Sequence, residues 1–183
     1  MKWQDYVIQM CQLSLEEKNH YDHIIFHKLM TSIKNTNIKN YIFVYWPREN
    51  EPETIAIIDE LLKRKFKVCL LRINENNDSS FIPITSLDFE YEYYQSIKMP
   101  KKSKEISIND IDLVIAPAIM FDNKNRVFIH PSLSLLKTII DQPSKRRIYR
   151  IALSYDFCQM DGTIGGKYII FDRIITNKKE REE

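Results

Sequence analysis

Glycine is nearly absent from this chain. Three glycines occur in 183 residues, all of them between Gly162 and Gly166. Loops that wrap phosphate rely on glycine, because bare backbone can approach the anion and present its N–H groups to it. A Walker A loop, a GxGxxG dinucleotide turn and a GxSxG nucleophile elbow are therefore excluded over residues 1–161. Cysteine is scarce as well. Cys11, Cys69 and Cys158 are far apart, odd in number and part of no CxxC, which argues against a disulfide framework or a zinc site and for a reducing compartment. The net charge is only +2, so no global field of one sign calls for nucleic acid or an anionic membrane. No apolar run approaches the ~20 residues of a membrane span. The N-terminus lacks a signal-peptide core and carries an early acid, Asp5. A cytoplasmic protein with no membrane partner is the expectation, folded as one domain over residues 1–183 with a solvated tail at 177–183.

What is present is a strong alternation of elements. Ser14-Leu15-Glu16-Glu17 reads as a capping box, and Tyr21, Ile24, Ile25, Leu29 and Ile33 carry helical spacing to about Lys34. Tyr41–Trp46 is a short apolar run rich in aromatic and β-branched residues, hence a buried strand. A polar turn follows, then a helix from about Pro52 to Lys65 and a strand over Lys67–Arg72. Phe81–Ile84 suits a short edge strand, and Phe89, Tyr91 and Tyr93 alternate with Glu90 and Glu92 as an exposed strand would. Ile111–Pro117 is the near-continuous apolar run of a central parallel strand. Pro131–Asp141 reads as helix, and Arg150–Tyr155 and Phe171–Thr176 as strands. This order predicts an α/β domain of three layers, with a mostly parallel central sheet and helices on both faces. Sites in such sheets lie beyond the carboxyl ends of the strands, which directs attention to residues 46–54, 72–80, 117–131 and 155–166.

Those segments carry a family likeness. Asp112-Leu-Val-Ile-Ala-Pro-Ala-Ile-Met-Phe-Asp122 is similar to a strand and turn of the form DLVIxPGxxFD, and Asn50–Thr54 to an E-x-x-T turn. Ile151-Ala-Leu-Ser-Tyr-Asp-Phe157 resembles a late IGLAYDFQ strand, and Phe171–Thr176 a terminal V-D-x-I-I-T strand. With the LSxEE-like capping box at Ser14, these motifs resemble the 5-formyltetrahydrofolate cyclo-ligase (methenyltetrahydrofolate synthetase) family over nearly the whole chain. The resemblance implies ATP- and magnesium-dependent closure of 5-formyltetrahydrofolate to 5,10-methenyltetrahydrofolate in one-carbon metabolism. It also implies a folate contact at Glu51, ATP contacts at Asp122 and Arg126, and a magnesium ligand at Asp172.

The departures from that pattern fall in one place. After Arg126 the family reads LGxGxGYYD, whereas this chain reads Val127-Phe-Ile-His-Pro-Ser-Leu-Ser-Leu135. Phe128, His130 and Ser132 stand where glycines would wrap phosphate, and the N-terminal lysine and arginine of the family have no counterparts beyond Lys2. A second reading follows: a paralogue without catalysis, serving as a binding or scaffold subunit of a larger assembly that includes RNA. Its partner surface would be the basic clusters Lys98–Lys104 and Lys145–Arg150 together with the Tyr91, Tyr93 and Tyr94 strand.

Each candidate has a plainer reading beside it. Glu51 suits a helix N-terminus, Asp122 suits a turn cap, and Asp172 suits a strand edge. The tyrosines at strand spacing read as a packed sheet face and the basic clusters as solvated surface. His20, His23 and His27 fall opposite the apolar stripe of their helix, as surface histidines without an acidic or thiol third ligand. The glycine run reads either as a small anion nest or as a flexible turn. Cys158 shows no context for a nucleophile.

Overall fold

In the computed structural model, residues 2–34, 36–74, 76, 78–95, 97–129 and 147–178 are described. The chain begins with two helices, α1 (Trp3–Cys11) and α2 (Leu15–Lys34). The capping box at the start of α2 is made as expected. Ser14 Oγ accepts from the Glu17 backbone N–H at 3.2 Å, and the Ser14 N–H donates back to Glu17 Oε2 at 2.9 Å. The stripe read from sequence faces inward, with Ile25, Leu29 and Ile33 buried.

The next elements are β1 (Tyr41–Val44), α3 (Ile55–Lys63), β2 (Lys67–Ile73) and β3 (Ser79–Ile84). A hairpin follows, β4 (Tyr91–Tyr94) and β5 (Ile97–Pro100), and then the central strand β6 (Ile111–Pro117). The described chain continues through β7 (Arg126–Phe128), β8 (Tyr149–Leu153), β9 (Tyr168–Ile170) and β10 (Arg173–Ile175). Six strands form one sheet in the order β10-β8-β6-β1-β2-β3, and every neighbouring pair is parallel except β2 with β3. The sheet is the mostly parallel α/β architecture expected from the alternation of elements. The helix expected at 131–141 and the tail from 179 onward lie outside the described residues.

The core sits in the middle strands. Consecutive residues Leu113, Val114, Ile115 and Ala116 on β6, and Ile42, Phe43 and Val44 on β1, are fully buried or within 1% of it. A strand whose alternate side chains are all buried is covered on both faces, which is the mark of three layers. Helix α2 packs beside α3 and reaches β10. Two two-stranded ribbons, β4–β5 and β7–β9, supplement the main sheet. Of these elements, β5, β7 and β9 carry no clear signal in the sequence, because three or four residues are too few to show a period.

The entry to β1 contains a β-bulge. Tyr41 pairs with Ile111 but Ile42 pairs with Leu113, so Asp112 is the extra residue. Its carboxylate then accepts from the Lys39 N–H at 2.8 Å, the Asn40 N–H at 2.7 Å and Asn40 Nδ2 at 3.1 Å. The side chain freed by the bulge thus satisfies the backbone where the strand begins. Asp112→Ala is expected to cost about 2 kcal/mol, because two backbone donors lose their acceptor at a partly buried site. Urea unfolding of the two proteins checks this through a lower midpoint at unchanged slope.

Candidate functional site

The sheet order reverses direction between β1 and β6: from β1 the chain proceeds outward to β2, and from β6 outward to β8 and β10. Loops leaving the carboxyl ends of two such strands diverge and open a crevice. A cleft lies at this end of the sheet. Its walls come from Phe43 on β1, Leu70 and Ile73 on β2, and Pro117 at the end of β6. The β4–β5 hairpin forms the opposite side with Tyr94, Ile97, Lys98 and Met99. At the rim stand Trp46, Arg48 and Glu51, from the turn after β1.

That turn is held by its own polar groups. Tyr45 Oη donates to the Pro52 carbonyl at 2.7 Å, and Thr54 Oγ1 donates to the Tyr45 carbonyl at 2.7 Å. The Glu51 N–H donates to the Arg48 carbonyl, and the Arg48 N–H donates in return to Glu51 Oε2, both at 3.0 Å. Glu51 is only 4% exposed although it is a charged residue on a loop. Burial pushes its carboxyl above the ordinary value, against the pull of the Arg48 N–H and of the Arg48 and Lys18 charges. A buried carboxyl facing an otherwise apolar cleft is suited to hydrogen-bonding the polar edge of a flat heterocycle. Of the four residues implied by the family resemblance, Glu51 is the one that lines this cleft, and Tyr94 and Lys98 from the expected partner surface line it too.

Asp122 and Arg126 lie together, elsewhere. Asp122 Oδ2 accepts from Arg126 Nε at 2.7 Å and from the Ile164 N–H at 3.0 Å. Oδ1 accepts from the Lys124 and Arg126 N–H groups at 2.8 and 3.2 Å. Burial alone would raise this carboxyl, but the donors from Ile164, Arg126 and Lys124 hold it down at about 2. The turn ends at Asn125, whose φ of 56° is left-handed, the conformation that glycine or asparagine adopts most readily. Arg126 also lies under the Tyr168 ring, 5.1 Å from its centroid.

The segment that follows is a strand. The Phe128 N–H donates to the Met120 carbonyl at 3.0 Å, and the Ile129 N–H donates to the Lys167 carbonyl at 3.2 Å. The Phe128 side chain packs against the core. With the Arg126 N–H already given to Asp122, these amides are directed inside the protein and not toward a ligand. His130, Ser132, Leu133, Ser134 and Leu135 lie outside the described residues. The glycine loop is anchored, not free: Ile164 is buried, and its N–H is the one donated to Asp122. Gly162 and Gly166 both adopt positive φ, 97° and 84°, which is why glycine is needed there.

Asp172 is not brought to the cleft. It precedes β10, and its N–H donates to the carbonyl of Arg150 near the start of β8, at the amino end of those strands. Glu51 follows the carboxyl end of β1. Asp172 accepts from Arg147 Nη2 at 2.7 Å and from the Arg150 N–H at 2.8 Å. Among the described residues no group of three His, Cys, Asp or Glu side chains is arranged to hold a metal ion. His23 and His27 approach to 3.0 Å between Nε2 atoms on the exposed face of α2. Cys69 and Cys158 are buried free thiols, and burial pushes Cys158 up to about 12.

The basic clusters do not share one environment. Lys101 is 3.5 Å from Glu90, Lys102 lines a polar cleft with Arg72 and Glu105, and Arg147 pairs with Asp172. Lys145 and Arg146 lie outside the described residues. Tyr91 and Tyr93 are 46% and 67% exposed, not a packed face, while Tyr94 turns toward the cleft. The hairpin that closes the cleft, with Lys98 and Tyr94 in it, was marked in the sequence only as a macromolecular partner surface, because it lies in none of the loops after the parallel strands. Its one signal was the clustering of aromatic residues beside basic ones.

No family model and no curated protein matches the chain by sequence. Solved structures do. The chain is similar to the 5,10-methenyltetrahydrofolate synthetase from Mycoplasma pneumoniae, with a TM-score of 0.76, 18% identity and coverage of 96% of both chains. It is also similar to the Aquifex aeolicus 5,10-methenyltetrahydrofolate synthetase, with a TM-score of 0.80 and 17% identity over 97% of this chain and 88% of that one. The fold of the family named by the sequence motifs is thus the fold of this chain. No helix among the described residues is long and apolar enough to cross a membrane.

The Asp122 geometry has a measurable consequence. Its folded-state value near 2 lies below the unfolded value of 3.8, so its contribution to stability is full above about pH 4 and is lost as pH falls from there toward 2. Asp122→Asn is expected to lose about 3 kcal/mol at pH 7, since a neutral amide is a poorer acceptor for these donors. The gap between the two proteins should close between about pH 4 and pH 2. Unfolding curves across that range would contradict this assignment if the gap stayed constant.

Proposed function

We propose that the cleft beside Glu51 takes a reduced folate of the 5-formyltetrahydrofolate type, and that this cytoplasmic protein serves one-carbon folate metabolism through it. The observation that carries this reading is a buried carboxyl lining a cleft at the carboxyl end of a sheet whose fold is that of methenyltetrahydrofolate synthetases. The apolar walls suit the face of a pterin, and Glu51 suits its polar edge.

ATP and magnesium fit the described residues poorly. A triphosphate needs free amide donors and unpaired cations. Here the amides of Arg126, Phe128 and Ile129 are donated to protein acceptors, and the Arg126 guanidinium is tied to Asp122. Asp172, the candidate magnesium ligand, is committed to Arg147 and to the Arg150 N–H. The same observation favours the second reading, a catalytically degenerate paralogue that binds folate, or a partner, without ring closure.

Thermal unfolding with each ligand separates these readings. 5-Formyltetrahydrofolate is expected to stabilise the protein, by about 2.7 kcal/mol at a hundredfold excess over Kd, and ATP with magnesium to give little or no shift. Glu51→Ala should weaken folate binding at least about tenfold, the equivalent of roughly 1.4 kcal/mol. Absence of any shift with the folate would sink the pocket reading. Appearance of the methenyl product's ultraviolet absorbance with ATP and magnesium would establish the ring-closing reaction in spite of the committed amides.

A further inference from the structure

Lys98 stands at the mouth of the same cleft in an unusual setting. Its Nζ lies 4.2 Å from the centroid of Tyr91, 4.8 Å from that of Trp46 and 4.8 Å from that of Phe89. Three rings from two separate parts of the chain, the turn after β1 and the approach to the hairpin, converge on one ammonium. They also brace one another, with Trp46 edge-on to Phe89 at 5.5 Å and Tyr91 edge-on to Tyr93 at 5.5 Å. Aromatic faces attract a cation through their quadrupoles, so they hold its position without cancelling its charge. The nearby cations are treated differently. Arg72 is paired with Glu92 at 2.8 Å, and Lys101 with Glu90 at 3.5 Å. Among the described residues no carboxylate is paired with Lys98.

We infer that Lys98 is an anion subsite of the cleft, positioned by the Trp46, Phe89 and Tyr91 rings to receive the carboxylate arm of a ligand whose flat head lies beside Glu51. The inference rests on the folate reading above and deepens it by assigning the residue that distinguishes a charged from an uncharged ligand. Charge and shape agree with this. The residues lining the cleft include two cations, Arg48 and Lys98, against a single acid, Glu51. Lys98 and Trp46, one of the rings around its ammonium, both line the cleft. A caged lysine also retains less rotamer freedom than a solvated one, which lowers the entropy lost when an anion binds.

Titration calorimetry with two ligands tests the assignment: 5-formyltetrahydrofolate, and the corresponding 5-formyltetrahydropterin without the glutamate arm. The wild type is expected to prefer the ligand with the arm by about fivefold to tenfold at low salt, the size of a partly exposed ion pair. Lys98→Met, which keeps an unbranched chain in the cage, should bring the preference close to one and leave affinity for the pterin unchanged. Lys98→Arg should keep the preference, since guanidinium also stacks on aromatic faces. Equal loss of both ligands in Lys98→Met would mean that the lysine merely packs the cage, and an undiminished preference would mean that the arm goes elsewhere. Either result overturns the inference while the folate pocket stands. A wild type that binds neither ligand overturns the pocket and the subsite together.

Discussion

The pairing of β1 with β6 is the constraint on which the rest of this structure depends. Tyr41–Val44 is held between two parallel neighbours whose onward connections leave in opposite directions. Once that pairing is made, the loops beyond Val44 and Pro117 must diverge, and a crevice opens between them. The turn that carries Glu51 is set into it by hydrogen bonds from Tyr45, which directly follows the strand, and from Thr54, which directly precedes α3. The position of the buried acid is thus a consequence of backbone pairing several residues away.

A second set of polar contacts governs the other side of the fold. Asp122 gathers donors from its own turn and from Ile164, so one carboxylate joins the approach to β7 to the glycine loop. This arrangement has the geometry of an anion nest, but the anion is a side chain of the protein. Backbone that could present its amides outward is instead drawn into a small sheet with β9. The same stretch of chain therefore exchanges capacity for an external phosphate against internal order.

Much of this was legible before folding was considered. The capping box at Ser14, the apolar runs of β1, β2 and β6, and the edge character of Phe81–Ile84 are local signals, and each element formed where its residues indicated. Glu51 was legible too, through the motif around it and its place after a strand. Where Asp172 lies relative to Glu51 was not legible in the motifs, because a motif has no direction. Only the register of β10 against β8 shows that it lies toward the amino ends of the strands. The left-handed backbone at Asn125 is likewise a matter of the turn in which it sits, closed on Asp122.

The sequence by itself determined the longer strands and helices, which residues are apolar enough to form the core, and that no glycine-lined phosphate loop precedes residue 162. Those properties follow from side-chain chemistry and spacing along the chain, so they can be read without coordinates. The tertiary structure alone decided that Trp46, Phe89 and Tyr91 surround Lys98, and that a hairpin distant in sequence closes the cleft on Glu51. Such convergence depends on sheet order and on how the hairpin packs on β2, and neither leaves a local mark on the residues it brings together.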